Sequence, residues 1–167
     1  MSNGASARSI IREKAFQALF LLASRFELST EDAIMQTLYS GIQPETVEKP
    51  SAKELLRLNM PKEYQSNRII DDSYAFLQDL IVGVRNHSDS IDQIISKHLK
   101  NRSIDRIETS NLIALRLAVY ELNSENDVAP RVVLDEAIEL TKRFNDDKSG
   151  KFVNGVLQSI LNESNTQ

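Results

Sequence analysis

Cysteine and tryptophan are absent from this 167-residue chain, and glycine, proline and histidine number only five, four and two. Without cysteine there can be no disulfide, thiolate metal ligand or cysteine nucleophile. His87 and His98 alone are too few for a metal cluster, and the scattered glycines match neither a phosphate loop nor a dinucleotide fingerprint. No apolar run approaches the roughly 20 residues that span a bilayer, and the N-terminal stretch has no apolar centre before a small-residue cleavage site. The expected location is therefore cytoplasmic, with no membrane partner. Carboxylates occur in pairs, such as Asp71 with Asp72, Asp135 with Glu139 and Asp146 with Asp147, but caps, turns and solvated faces account for them. No histidine stands at a spacing for general-base work, so neither an enzyme nor a cofactor is expected.

What remains is a chain with 41% hydrophobic residues, most of them at a helical period. It reads as an all-α, single-domain bundle of about seven helices over residues 1–167. The first runs from near Ala7 to Arg25, with Ile11, Ala15, Ala18 and Leu22 on its stripe. Thr30 opens a second carrying Ala33, Ile34 and Leu38. Residues 41–67, with Pro44, Pro50 and Pro61, read as a long irregular connection holding at most one helical turn near Ala52 to Leu58. A third helix from Asp71 to Arg85 and a fourth capped by Ser88 or Ser90 follow. Leu112 to Leu122 is apolar nearly all round, as a central helix is.

Pro130 to Leu161 gives the strongest pattern. Pro130 suits a first helical position, and Val133, Ala137, Leu140 and Phe144 form one apolar stripe. After Asn145, Asp146 and Asp147, Ser149 is expected to cap a last helix with Val153, Val156, Leu157 and Ile160 on its inner face. Gly155 is expected to permit close helix approach.

A net charge of −4 opposes nucleic-acid binding in general, but the distribution is uneven. Arg8, Arg12, Lys14 and Arg25 face only Glu13 in the first helix region. Lys97, Lys100, Arg102 and Arg106 face Asp105, and Lys142, Arg143, Lys148 and Lys151 face two aspartates. Arg8, Arg12, Phe16 and Phe20, four residues apart, drift off the core stripe. Such a row can hold phosphates and stack an unpaired base, or its rings can pack on the connection while its arginines are merely solvated. Spacing alone favours the second reading. At the start of the last helix, Gly150 and Lys151 could hold a phosphate while Phe152 offers a ring, although Phe152 also lies on the core stripe.

The runs DEAIELTKRF and SGKFVNGVL, with ALRLAVYEL from Ala114 to Leu122 and REKAFQALF from Arg12 to Phe20, resemble the NusB family of bacterial transcription antitermination factors. The likeness covers about residues 7–25 and 70–162 and leaves Ser40 to Asn67 poorly matched. It implies a NusB-like helical fold and a role in assembly, not catalysis. The implied ligand is boxA-type single-stranded RNA of nascent ribosomal RNA transcripts, bound together with the ribosomal protein NusE and joined by other Nus factors and RNA polymerase. It assigns RNA binding to Arg8, Arg12, Lys14, Phe20, Lys148, Lys151 and Phe152, and partner binding to Phe20 and Asn111. Ser9, Ile10 and Ile11 replace part of an arginine run common in the family, and Lys148 stands where an acid is frequent. An accessory RNA-binding domain of an RNA cytosine-5 methyltransferase system, or a helical adaptor without RNA, are the competing readings.

Overall fold

The computed structural model describes residues 5–42 and 48–165. Among the described residues there are eight α-helices, two single-turn 3-10 segments and no strand. The helices are α1 (Ala7–Ser24), α2 (Thr30–Ser40), α3 (Ala52–Asn59), α4 (Asn67–Asn86), α5 (Ser88–Lys97), α6 (Thr109–Asn123), α7 (Pro130–Phe144) and α8 (Asp147–Asn165). None is long and apolar enough to cross a membrane. The all-α expectation holds, with one helix more than expected.

The extra helix is α3, inside the supposed irregular connection. A capping box starts it: the Glu54 N–H donates to Ser51 Oγ at 3.2 Å, and the Ser51 N–H donates to Glu54 Oε2 at 2.9 Å. Its Leu55 and Leu56 are fully buried. Residues 43–47, including Pro44, lie outside the described residues. Caps also move other boundaries. Ser29, not Thr30, caps α2 by accepting from the Asp32 N–H at 3.0 Å. Ser66 Oγ accepts from the Ile69 N–H at 3.3 Å, so α4 begins four residues before Asp71. No side chain caps α5: Ser88 and Ser90, the expected caps, lie inside the helix, and His87 holds the cap position without a side-chain hydrogen bond.

The chain divides into two compact units, residues 1–82 and 83–167. In the first, α1 packs on α2 and α2 on α3. Ile11, Ala15, Phe16 and Leu19 of α1 and Ala33, Ile34 and Leu38 of α2 are buried. In the second, α6 packs against α5, α7 and α8. Its Leu115, Ala118 and Val119 join Ile95, Leu134 and Leu157 in one apolar core. Arg116, the charge that interrupts α6, is met by a bidentate pair with Asp92 at 2.8 and 2.9 Å.

Two expectations about packing fail. Phe144, placed on the core stripe of α7, is exposed: it is the last residue of the helix and stands beyond the buried part of the stripe, although its angular position matches Val133 and Leu140. Gly155 is exposed, and a Cβ there would meet nothing within 4 Å. The close approach belongs to Gly83 instead, where a Cβ would lie 2.1 Å from Cζ of Tyr120.

Candidate nucleic-acid interface

In the first unit the row Arg8, Arg12, Phe16, Phe20 separates into an outer pair and an inner pair. Arg8 is exposed, as is Phe20 at 45%, whereas Arg12 is 4% exposed and Phe16 2%. The drift off the core is therefore real at Phe20 but not at Arg12 and Phe16, and Arg8 is exposed in the first turn of the helix. The Phe16 and Phe20 rings stack, with centroids 6.4 Å apart and planes at 25°. Both arginines sit over one ring of α4: Cζ of Arg8 is 4.3 Å and Cζ of Arg12 5.5 Å from the Phe76 centroid. Arg12 is thus a packed cation that helps to seat its neighbour, and Arg8 is the guanidinium presented to solvent. Lys14 is half-buried, and a Cβ on Gly41 would lie 3.5 Å from its Nζ. Burial pushes its ammonium below the usual lysine range, opposed by the charge of Glu13.

In the second unit the turn between α7 and α8 is built by Asp146. Its Oδ1 accepts from the Ser149 N–H at 2.7 Å, so α8 starts at Asp147 and Ser149, the expected cap, is instead a buried residue of its first turn. The Ser149 backbone N–H, then its side chain and the charge of Lys148, hold the Asp146 carboxyl below the usual aspartate range. This changes the expectation of a backbone phosphate site. A carboxylate already occupies the positive end of α8, and the Gly150 N–H donates to the Asp146 carbonyl at 3.2 Å. The remaining attraction for an anion comes from Lys148 and Lys151, both exposed on the first turn.

Phe152 is half-buried at the rim of the apolar core. The exposed Arg102 lies over it, with Cζ 4.8 Å from the ring centroid. Asn111, expected to face a protein partner, is 6% exposed. Its amide donates to Ser149 Oγ at 3.1 Å and its oxygen accepts from Asn145 Nδ2 at 3.4 Å. Asn145 Nδ2 also donates to Glu108 Oε2 at 2.6 Å, so the head of α6 is tied to the turn before α8. The two aromatic–cation pairings bring in Phe76 and Arg102, which sequence reasoning did not place at a site. Arg102 had a signal, the basic cluster from Lys97 to Arg106. Phe76 had none, because only the tertiary fold brings α4 to α1.

Elsewhere, both histidines have structural partners. His98 Nδ1 pairs with Ser159 Oγ at 2.8 Å and His87 Nδ1 with the Gly83 carbonyl at 2.9 Å. Among the described residues no three acidic or histidine side chains are grouped to hold a metal ion.

The sequence model of the NusB family matches residues 9–162, a span that also runs through the stretch expected to match poorly. The chain belongs to the NusB family. It is 38% identical over 160 residues to the transcription antitermination protein NusB of Lactiplantibacillus plantarum, covering 95% of this chain and 97% of that one. Among solved structures, NusB of T. maritima is similar with a TM-score of 0.69 at 29% identity, covering 98% of this chain and 94% of that one. A chain in the crystal structure of antitermination factors NusB and NusE in complex with dsRNA is similar with a TM-score of 0.67 at 28% identity, over 92% of this chain and 95% of that one. The NusB-like runs fall on α1, α6, α7 and α8, and the last of them, SGKFVNGVL, holds Lys151 and Phe152, with Lys148 immediately before it.

Proposed function

We propose that this protein is a transcription antitermination factor that binds boxA-type RNA of nascent ribosomal RNA transcripts together with NusE. The pair would act in the cytoplasm, joining other Nus factors and RNA polymerase so that transcription continues past early termination signals. The observation that carries this reading is the nearly end-to-end likeness to an antitermination protein, 95% of this chain against 97% of the other. The similarity to a chain from a NusB–NusE complex with RNA supports the same partners.

Residue chemistry supplies the mechanism. Arg8, Lys148 and Lys151 contact phosphates; Phe20 and Phe152 offer rings to unpaired bases. Arg12 and Lys14, the less accessible cations of α1, set the position and field of Arg8 more than they touch RNA. Phe20 also suits a protein partner, and the buried Asn111 shapes the partner surface from beneath. With a net charge of −4 the chain binds RNA weakly alone, and a basic partner that matches its acidic remainder raises the affinity. The function is assembly; no catalytic step and no cofactor enter it.

Transcription of a boxA-bearing template through a terminator, with RNA polymerase, NusE and the other Nus factors, tests the proposal. Read-through should rise when this protein is added and fall back when boxA is scrambled. Equal read-through with and without the protein would overturn it.

A further inference from the structure

Phe152 combines two features that together decide how a base could meet it. The ring is held at the rim of the core, so its position is fixed. Its accessible side is not bare, because the guanidinium of Arg102 rests 4.8 Å from the centroid. Arg102 comes from a different segment, the connection between α5 and α6. There Asn101 adopts a left-handed backbone conformation, φ 58°, which asparagine tolerates better than most residues. The turn delivers Arg102 to the ring, and the side chain remains exposed.

A guanidinium is planar and has two faces. When one face lies on Phe152, the other can receive a base, and N–H groups on its edge can reach base or phosphate oxygens. Lysine cannot substitute, since an ammonium is a point charge without a stacking face. Lys148 and Lys151, exposed on the turn of helix that leads into Phe152, supply phosphate contacts beside this platform.

We infer that Arg102 is an RNA-contacting residue of this protein, forming with Phe152 a two-layer platform in which the nucleobase stacks on the guanidinium and the phenyl ring backs it. The inference rests on the RNA-binding reading above and adds a residue and a stacking order to it. Two geometric features favour the platform over a plain solvent cap. The ring is anchored, so a stack upon it is pre-organised, and the covering group is a planar cation that can itself stack.

The test measures affinity of the full-length protein with NusE for a short boxA-type single-stranded RNA, at two salt concentrations, for wild type, Arg102→Ala and Arg102→Lys, with urea unfolding of each protein. Loss of one stacked base weakens binding about tenfold in Arg102→Ala. Arg102→Lys should keep the wild-type salt slope yet recover little of the affinity. Unfolding midpoints should stay near wild type, which separates contact from folding. Full recovery by lysine would overturn the platform in favour of charge alone, and an unchanged affinity in Arg102→Ala would overturn any role for the residue. If wild type with NusE fails to bind the RNA, the RNA-binding reading itself falls and takes the platform with it.

Discussion

Both units place arginine over a phenylalanine ring, Arg8 and Arg12 over Phe76 in the first and Arg102 over Phe152 in the second, yet Arg12 and Arg102 differ in what surrounds them. In the first, Arg12 over Phe76 is 4% exposed, and in the second Arg102 over Phe152 is exposed. The same contact is therefore a packing element in one place and a presented surface in the other. Residue type did not settle this. Burial did, and burial came from which helix happened to lie alongside.

Four experiments would break or sharpen that contrast. The largest effect on stability should come from Gly83→Ala, whose new methyl would lie 2.1 Å from the Tyr120 ring. It should cost about 1–3 kcal/mol in urea unfolding, as overpacking does. Gly155→Ala, on an open helical surface, should instead gain about 0.5–1 kcal/mol. Opposite signs at two helical glycines would confirm that neighbours, not the residue, set the outcome. Next, Arg12→Ala should cost about 2 kcal/mol, because a desolvated cation–aromatic contact and its packed stem are lost together. Arg102→Ala should stay within about 0.5 kcal/mol of wild type in the same measurement. Similar costs for the two arginines would erase the distinction drawn between them.

Smaller changes should follow for the lysines. Lys148→Ala and Lys151→Ala should each weaken RNA binding similarly for all sequences and flatten the salt dependence by about one ion. The last test uses pH, and the two units should respond at opposite ends of the scale. Lys14 has a lowered native pKa, so in the window below about pH 10 the unfolded chain holds more protons than the folded one. Its contribution to stability therefore rises with pH there, and Lys14→Met should remove that rise. Asp146 also has a lowered pKa, but as an acid it stabilises above about pH 4, and that contribution fades as the pH drops further. Asp146→Ala should be less stable than wild type near neutrality and converge with it in acid. A constant gap across pH would contradict the capping role.

Much of the fold was legible because local chemistry set it. α7 runs from Pro130 to Phe144, the bounds read from a first-turn proline and the break at Asn145. The central position of α6 followed from apolar residues on all sides. Errors arose where a neighbouring polar side chain took over a cap, as Asp146 did from Ser149, or where a short strongly capped helix sat among prolines, as α3 does. The site was less legible than the fold. Periodicity found that Phe20 leaves the core, but it could not show that Arg12 lies over Phe76 or that Arg102 lies over Phe152. Those are contacts between segments distant in sequence, and a helical period carries no record of them.

The central claim is that this chain binds RNA as one half of a pair. The most direct measurement is the affinity of wild type and Phe152→Ala for boxA-type RNA, with and without NusE, at low and high salt. Weak binding alone, a marked gain with NusE, steep loss with salt and a further loss of about tenfold in Phe152→Ala are the predicted results. Equal binding with and without NusE, together with no effect of Phe152→Ala, would contradict the account.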